Sequence, residues 1–261
     1  MGGVCFAKKL KTAFFLFAML FVSCGLDTFY YLEPPKTDGH TTKYTSTDRP
    51  QLYFSFLTNE EGDNSDYGSS DFSFLGTEVY YKIYNNYSTM VSAQSSIDSL
   101  NSSSDVSAAA TNIINSRNYK TLLFSSYSQT PLIPEKNDDR YVYIRLNSIK
   151  GSSEYSAVVC YGISAMESYV AGSSGITLIG KPLRNVSSGS GYGFDFKKTD
   201  NGNPLPVSSD EDVNWSSSSE DGVWYVDMWA VSVGRDSSYS PSYSKLLHLG
   251  SISIREEWYD D

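Results

Sequence analysis

Basic residues, histidine and cysteine are scarce in this chain of 261 residues: 20 Lys and Arg stand against 30 Asp and Glu, with two His and three Cys. An acidic balance without a basic stripe argues against partnership with nucleic acid and against electrostatic binding to anionic lipid. His40 and His248 stand alone, with no second His, Cys or carboxylate at a zinc-ligand interval, so no metal site is expected. No serine sits in a GxSxG frame, and a hydrolase triad has no support. Gly175, Gly180 and Lys181 have phosphate-loop spacing, but Pro182 stands where a Mg²⁺-binding Ser or Thr is needed, and 176–179 read as a strand. The expectation is a non-enzymatic protein with no catalytic residue, cofactor or metal. Long apolar runs are also missing. The N-terminal run 13–22 is about half of the roughly 20 residues that a spanning helix requires.

What the chain has instead is aromatic and turn-forming residues: 21 Tyr, 13 Phe and 4 Trp, with 19 Gly and many Ser. Aromatic and β-branched residues fill pleated surfaces. Period-two alternation marks strands at 52–57, 78–84, 140–146 and 224–233. It puts Leu52, Phe54 and Phe56, then Val79, Tyr81 and Ile83, then Val142, Ile144 and Leu146, then Trp224, Val226, Met228 and Ala230 on core faces. Weaker strand signals lie at 119–124, 155–161, 176–179, 193–197 and 246–254, and Asp221-Gly222 is a tight-turn pair. Met90, Ala93, Ile97 and Leu100, then Val106, Ala109, Ala110, Ile113 and Ile114, recur at spacings of three and four. They predict two short amphipathic helices within 87–117, the second capped by Ser104. The fold class expected is mainly β: an antiparallel β-sandwich with a two-helix insertion.

Trp224 to Gly234 in alternation, Ser240-Pro241 and the strand 246–254 resemble the last two strands of a fibronectin type III domain, and 78–84 resembles its third. The resemblance implies an immunoglobulin/fibronectin III-like sandwich. The span between the matching parts is far longer than that family has. It implies a large insertion, or two halves joined near 150.

The N-terminus carries an address. Lys8, Lys9 and Lys11 precede the apolar run, and Ser23 precedes Cys24, the order of a secretory signal peptide. Phe21, Val22, Ser23 and Cys24 resemble a bacterial lipobox, with Phe21 where Leu is usual. The resemblance implies cleavage after residue 23 and acylation of Cys24, so that the protein reaches the membrane through its N-terminal lipid. Loss of Lys8, Lys9 and Lys11 leaves 17 basic and 30 acidic residues, a formal charge near −13. Cys5 departs and Cys24 is modified, which leaves Cys160 in the apolar run 155–161 as a buried, inert thiol and rules out a disulfide framework. Residues 24–49, with Pro34-Pro35 and many Thr, read as a lipidated tether with a reach on the order of 80 Å when extended; its aromatic cluster Phe29-Tyr30-Tyr31 either docks on the body as a short strand or sits near the headgroups. The sandwich domain is expected over 50–256. The Cys-Gly-Leu start, the aromatic tether ending Leu-Glu-Pro-Pro and the β-rich body resemble treponeme-type spirochaete lipoproteins, which implies the outer membrane or cell surface as location.

Two kinds of site remain. Acidic loops at 60–66, Asp138-Asp139, 200–203 and 210–212 offer oxygen ligands but none in EF-hand order, and they read as solvated turns, with Ca²⁺ as the alternative. Tyr80, Tyr84, Tyr143, Tyr225 and Trp229 fall opposite the core faces. On a solvent face they form a binding surface for a protein or glycan ligand; under the helices they form a second core. The functional expectation is a binding or structural module displayed at the surface. The alternatives are a periplasm-facing assembly or maintenance component and a carboxylate-based glycan-acting enzyme.

Overall fold

Alternation over short runs bounded by Gly, Ser and Asn turns drives this chain into sheets. The computed structural model describes residues 31–42, 45, 47–60, 64, 71–124, 131–187, 191–196, 204–219 and 222–256. The strands are β1 (Phe54–Leu57), β2 (Phe72–Tyr84), β3 (Lys120–Thr121), β4 (Leu123–Phe124), β5 (Ile133–Pro134), β6 (Tyr141–Arg145), β7 (Val158–Gly162), β8 (Ile176–Gly180), β9 (Pro182–Leu183), β10 (Val213–Asn214), β11 (Val223–Asp236), β12 (Pro241–Tyr243) and β13 (Leu247–Arg255). The helices are α1 (Tyr87–Asn101) and α2 (Ala108–Thr111), the latter running on into a π turn over Asn112–Ser116. No described helix is long and apolar enough to cross a membrane.

One sheet has the order β1-β6-β7-β8, antiparallel throughout. The second is built on the long antiparallel pair of β2 and β11. β13 and β12 follow one another along the outer edge of β11, while β5, β3 and the parallel β10 do so along β2. The junction near 150 that the sequence allows falls in the β6–β7 connection, inside one sheet.

The inner faces of both sheets meet in one core, and here the alternation was a reliable guide. Phe54, Phe56, Val79, Tyr81, Ile83, Val142, Ile144, Trp224, Val226, Met228 and Ala230 all lie in it. At roughly 1.5–3 kcal/mol per large side chain this burial is the main stabilising contribution.

The helices form where expected, with different caps. Asn86, in extended backbone, accepts from Thr89 N at 3.0 Å and starts α1. The second helix begins after Ser107, not Ser104, because Asp105 Oδ1 takes the Ser107 amide at 3.0 Å and holds the preceding turn open. Met90, Ala93 and Ile97 of α1 and Ala109, Ala110 and Ile113 beyond it are buried. They cover the outer face of the β2/β11 sheet, which is therefore packed on both sides.

The expected tether is corrected from residue 32 onward. Leu32 is buried. Asn64 clasps the Glu33 backbone, accepting from its N and donating to its O, each at 2.9 Å, and Asn59 donates to Pro34 O at 3.0 Å. Lys36 and Leu57 exchange both backbone hydrogen bonds at 2.8 Å, so the chain's own N-terminal segment closes the β1 edge. His40 stacks on Tyr53 at 3.9 Å between centroids, and Thr42 bridges to Gly250. The physical reason is that β1 presents unpaired backbone groups that a nearby extended segment satisfies. We call 31–42 the strap. Residues 24–30 lie outside the described residues.

Gly250 makes the strap's last contact possible. Its φ is +99°, and a Cβ there would lie 2.8 Å from Thr42 O. Gly250→Ala is expected to cost about 1–3 kcal/mol and to speed limited proteolysis within the strap several-fold, read by mass spectrometry of the cleaved N-terminus. Unchanged cleavage would show that the contact does not hold the strap.

Candidate functional site

The five aromatics read as a possible binding surface are not exposed, and this corrects the solvent-face expectation. Tyr80 and Trp229 pack with Ile97, Ala109, Ala110 and Ile113. Tyr84 and Tyr225 pack with Met90 and Ala93. Tyr143 sits in the other sheet, packed with Met166 and Tyr169 from the β7–β8 connection and Ile176 of β8. Tyr serves a wet face and an interior equally well when its hydroxyl finds a partner, so alternation alone could not separate the two readings.

Those hydroxyls converge on a residue that the sequence reading passed over. Asp227 lies mid-strand in β11 and is completely buried. Its Oδ2 accepts from Tyr119 Oη and Trp229 Nε1, both at 2.7 Å. Its Oδ1 accepts from Gln94 Nε2 at 2.7 Å and lies 2.8 Å from His248 Nε2. Tyr84 Oη adds to the network at 3.0 Å from Tyr119 Oη. A bulge in the β11–β13 pairing at Met228/Trp229 sets His248 opposite Trp229, on which it stacks at 4.1 Å between centroids. His248 reaches solvent, with 30% of its side chain exposed, and Gln94 is also only partly buried. One sequence signal was available: an acidic residue inside the apolar run 224–233 has to be buried with donors.

This hub ties α1, the 117–119 turn, β11 and β13 together. A carboxylate met by four donors is a rigid anchor, and its acceptor capacity is used up. Cys160 lies elsewhere, among Tyr53, Tyr143 and Val158, and burial pushes its thiol up to about 12. A thiol so held is a poor nucleophile.

Of the described acidic loop residues, Glu60, Asp139, Asp210 and Asp212 pair with cations, while Asp138 and Glu211 are exposed as solvated turns would have them. Arg184 is fully buried and takes Asp212 through Nε at 2.9 Å and Nη2 at 2.6 Å, and Asp210 at 2.7 Å. Tyr81 Oη donates to the same Asp212 at 2.8 Å. Glu60 pairs with Arg140, and Asp139 with Lys36 at 3.1 Å. Burial nevertheless holds the Glu60 carboxyl above its ordinary value, against the lowering effect of Arg140. Residues 61–63, 65–66 and 200–203 of these loops lie outside the described residues. The phosphate-loop look-alike is strand β8, and Lys181 lies 3.6 Å from Asp195.

The exposed apolar side chains are elsewhere. Trp215 is 47% exposed, with its ring 5.9 Å from Trp224. Ile163, Val170 and Leu178 are 85%, 51% and 54% exposed, all in or beside the β7–β8 hairpin. The lipidation residue Cys24 and the signal segment 1–23 lie outside the described residues. Comparison of the chain with family models, with curated proteins and with solved structures finds no match to any of them.

Proposed function

We propose that this chain is a lipid-anchored envelope protein, acylated at Cys24, whose β body is a binding or structural module displayed at the cell surface. The observation that carries the reading is the N-terminal order: three lysines, the apolar run 13–22, Ser23 and Cys24. Two or more acyl chains on one residue anchor stably where a single chain does not. The body supports the non-enzymatic part. Its one cysteine past Cys24 is a buried thiol, and its two histidines are engaged, His248 with Asp227 and His40 with Tyr53. The antiparallel order β2-β11-β13 is consistent with the third and last two strands of a fibronectin type III-like sandwich, with β3 to β10 as the long insertion. The ligand is a protein or a glycan, and the exposed aromatics Trp215 and Tyr239 replace the buried five as candidate points of contact.

Mass spectrometry of the mature protein is expected to find an acylated N-terminal Cys24. Cys24→Ser is expected to move the protein out of the membrane fraction or to stop processing. An unmodified, soluble mature chain overturns the anchor. Protease shaving of intact cells is expected to degrade the body; its survival would place the body on the periplasmic side.

A further inference from the structure

We propose that strand β8 is a dimerisation edge, at which a second copy of this chain adds its own β8 antiparallel about a two-fold axis through Thr177. The two four-stranded sheets then join into one. The contact concerns the body alone and needs no Cys24 anchor. The two edges of the first sheet differ. At the β1 edge, the strap exchanges backbone hydrogen bonds with Leu57. At the other edge, β8 pairs with β7 alone. Among the described residues, no backbone group of Ile176–Gly180 is hydrogen bonded to any segment but β7. An edge strand carries a row of unpaired N–H and C=O groups, and that row is a template for another strand.

The strand also lacks the devices that protect an edge. It has no charged residue and no proline, and its register with β7 is unbroken from Ile176 to Leu178. The one irregularity in that ladder lies beyond them, between Val159 and Cys160 on β7. Thr177 and Leu178 are both exposed, Leu178 by 54%.

Charge and self-complementarity name the occupant. The chain has 30 acidic residues against 20 basic ones, so two copies repel except where acidic side chains are absent, and residues 168–180 carry no charge. Glu167, next in sequence, lies two strands in from this edge, where its carbonyl accepts from Tyr143 Oη on β6 at 3.4 Å. Lys181, just past the strand, is 3.6 Å from Asp195. Lys136 reaches Tyr161 Oη, across from Thr177, at 3.3 Å, and shares its exposed loop with Glu135 and Asp138. The two-fold sets Thr177 against its own copy, a favourable cross-strand pair. It sets Ile176 against Leu178 of the second copy, twice over, and so covers the most exposed apolar side chain of the strand. Such an isologous contact closes on itself, and association stops at two copies. The paired strand is short, so the dimer is weak and concentration-dependent.

The test uses the chain from residue 24 onward, carrying Cys24→Ser. Sedimentation equilibrium is expected to show a reversible monomer–dimer system with no larger species. Leu178→Lys puts a charge on the edge and is expected to weaken dimerisation at least tenfold. Tyr239→Lys is the control: Tyr239 is 76% exposed in the β11–β12 turn of the second sheet, and its loss is expected to leave dimerisation within twofold. Thr177→Cys checks the register, and as a neutral change it keeps the test open should Leu178→Lys lower the melting temperature. Directly opposed Cα atoms in an antiparallel pair lie about 4.5–5.5 Å apart, inside the span of a disulfide. Mild oxidation is therefore expected to link two copies through residue 177, while Cys160 is buried and Tyr239→Cys stays monomeric. A monomer at every concentration up to millimolar overturns the proposal. So does a dimer that withstands Leu178→Lys, one that Tyr239→Lys disrupts equally, or oxidation that links Tyr239→Cys as readily as Thr177→Cys.

Discussion

Replacing Asp227 with alanine is expected to lower the stability of the body by about 4 kcal/mol or more and its melting temperature by roughly 10 °C. The reason is the number of donors left behind. Tyr119 Oη, Trp229 Nε1 and Gln94 Nε2 all point at this carboxylate, and His248 lies beside it. Tyr119 and Trp229 are buried, and each buried donor that loses its charged acceptor costs about 1–3 kcal/mol. Asp227→Asn keeps the volume but turns one acceptor into a donor, and its loss is expected to be about half as large. Tyr119→Phe alone should cost about 1 kcal/mol, and less in the Asp227→Ala background, where the hydroxyl keeps only Tyr84 Oη as a partner. Chemical denaturation of the four proteins closes the cycle. A loss below about 1 kcal/mol for Asp227→Ala would mean that the hub does not hold the helices to the sheet.

Glu78 carries the second large effect, with the opposite sign. Its side chain is buried on β2, where Oε1 accepts from Val79 N at 3.1 Å and Leu132 N at 3.3 Å, while Oε2 has no partner. Burial raises its pKa from 4.5 to about 8, against the lowering effect of those two amides. The folded protein thus holds a proton that the unfolded chain releases above pH 4.5. Where the native state binds more protons than the unfolded state, stability falls as pH rises. The contribution of Glu78 is therefore complete below about pH 4.5 and is lost progressively up to about pH 8, a change of about 4–5 kcal/mol. Glu78→Gln removes the titration and keeps the Oε1 acceptor. The variant is expected to match the wild type at pH 4.5 and to exceed it by several kcal/mol at pH 8. Denaturation across that range checks the expectation, and parallel pH profiles for the two proteins would refute it.

Both residues show where alternation stops being informative. The inner faces were legible because their apolar side chains recur every second residue, and Phe54, Val79, Ile144 and Met228 all lie in the core as the pattern implies. The outer face of the β2/β11 sheet carries Glu78, Tyr80, Lys82 and Tyr84 on β2, facing Tyr225, Asp227 and Trp229 on β11. That composition also suits a wet face. It is buried because α1 covers it, and the helix's own apolar residues, Met90, Ala93 and Ile97, were the clue that something had to lie beneath them. The strap was hidden for a different reason. Its docking uses backbone pairs and side-chain amides, such as Asn64 on Glu33 and Lys36 with Leu57, which leave no hydrophobic period behind. Gly76 was likewise silent in the alternation, although a Cβ there would lie 2.1 Å from Ile133 O, so that only glycine lets β5 close on β2.

The strap also decides how the molecule meets a mechanical load. A pull on the chain from the N-terminal side reaches the strap's contacts before it reaches either sheet. Those contacts include amide clasps on Glu33 and Pro34, the two-way Lys36–Leu57 bridge, the Thr42–Gly250 bridge and a stacked ring pair, each local where the β2–β11 seam runs over twelve paired residues. They give way first. Peeling 31–42 away would pay out about 40 Å of extra contour while the paired strands behind it stay intact, so the body is fused against tension by the same segment that keeps it on a short leash.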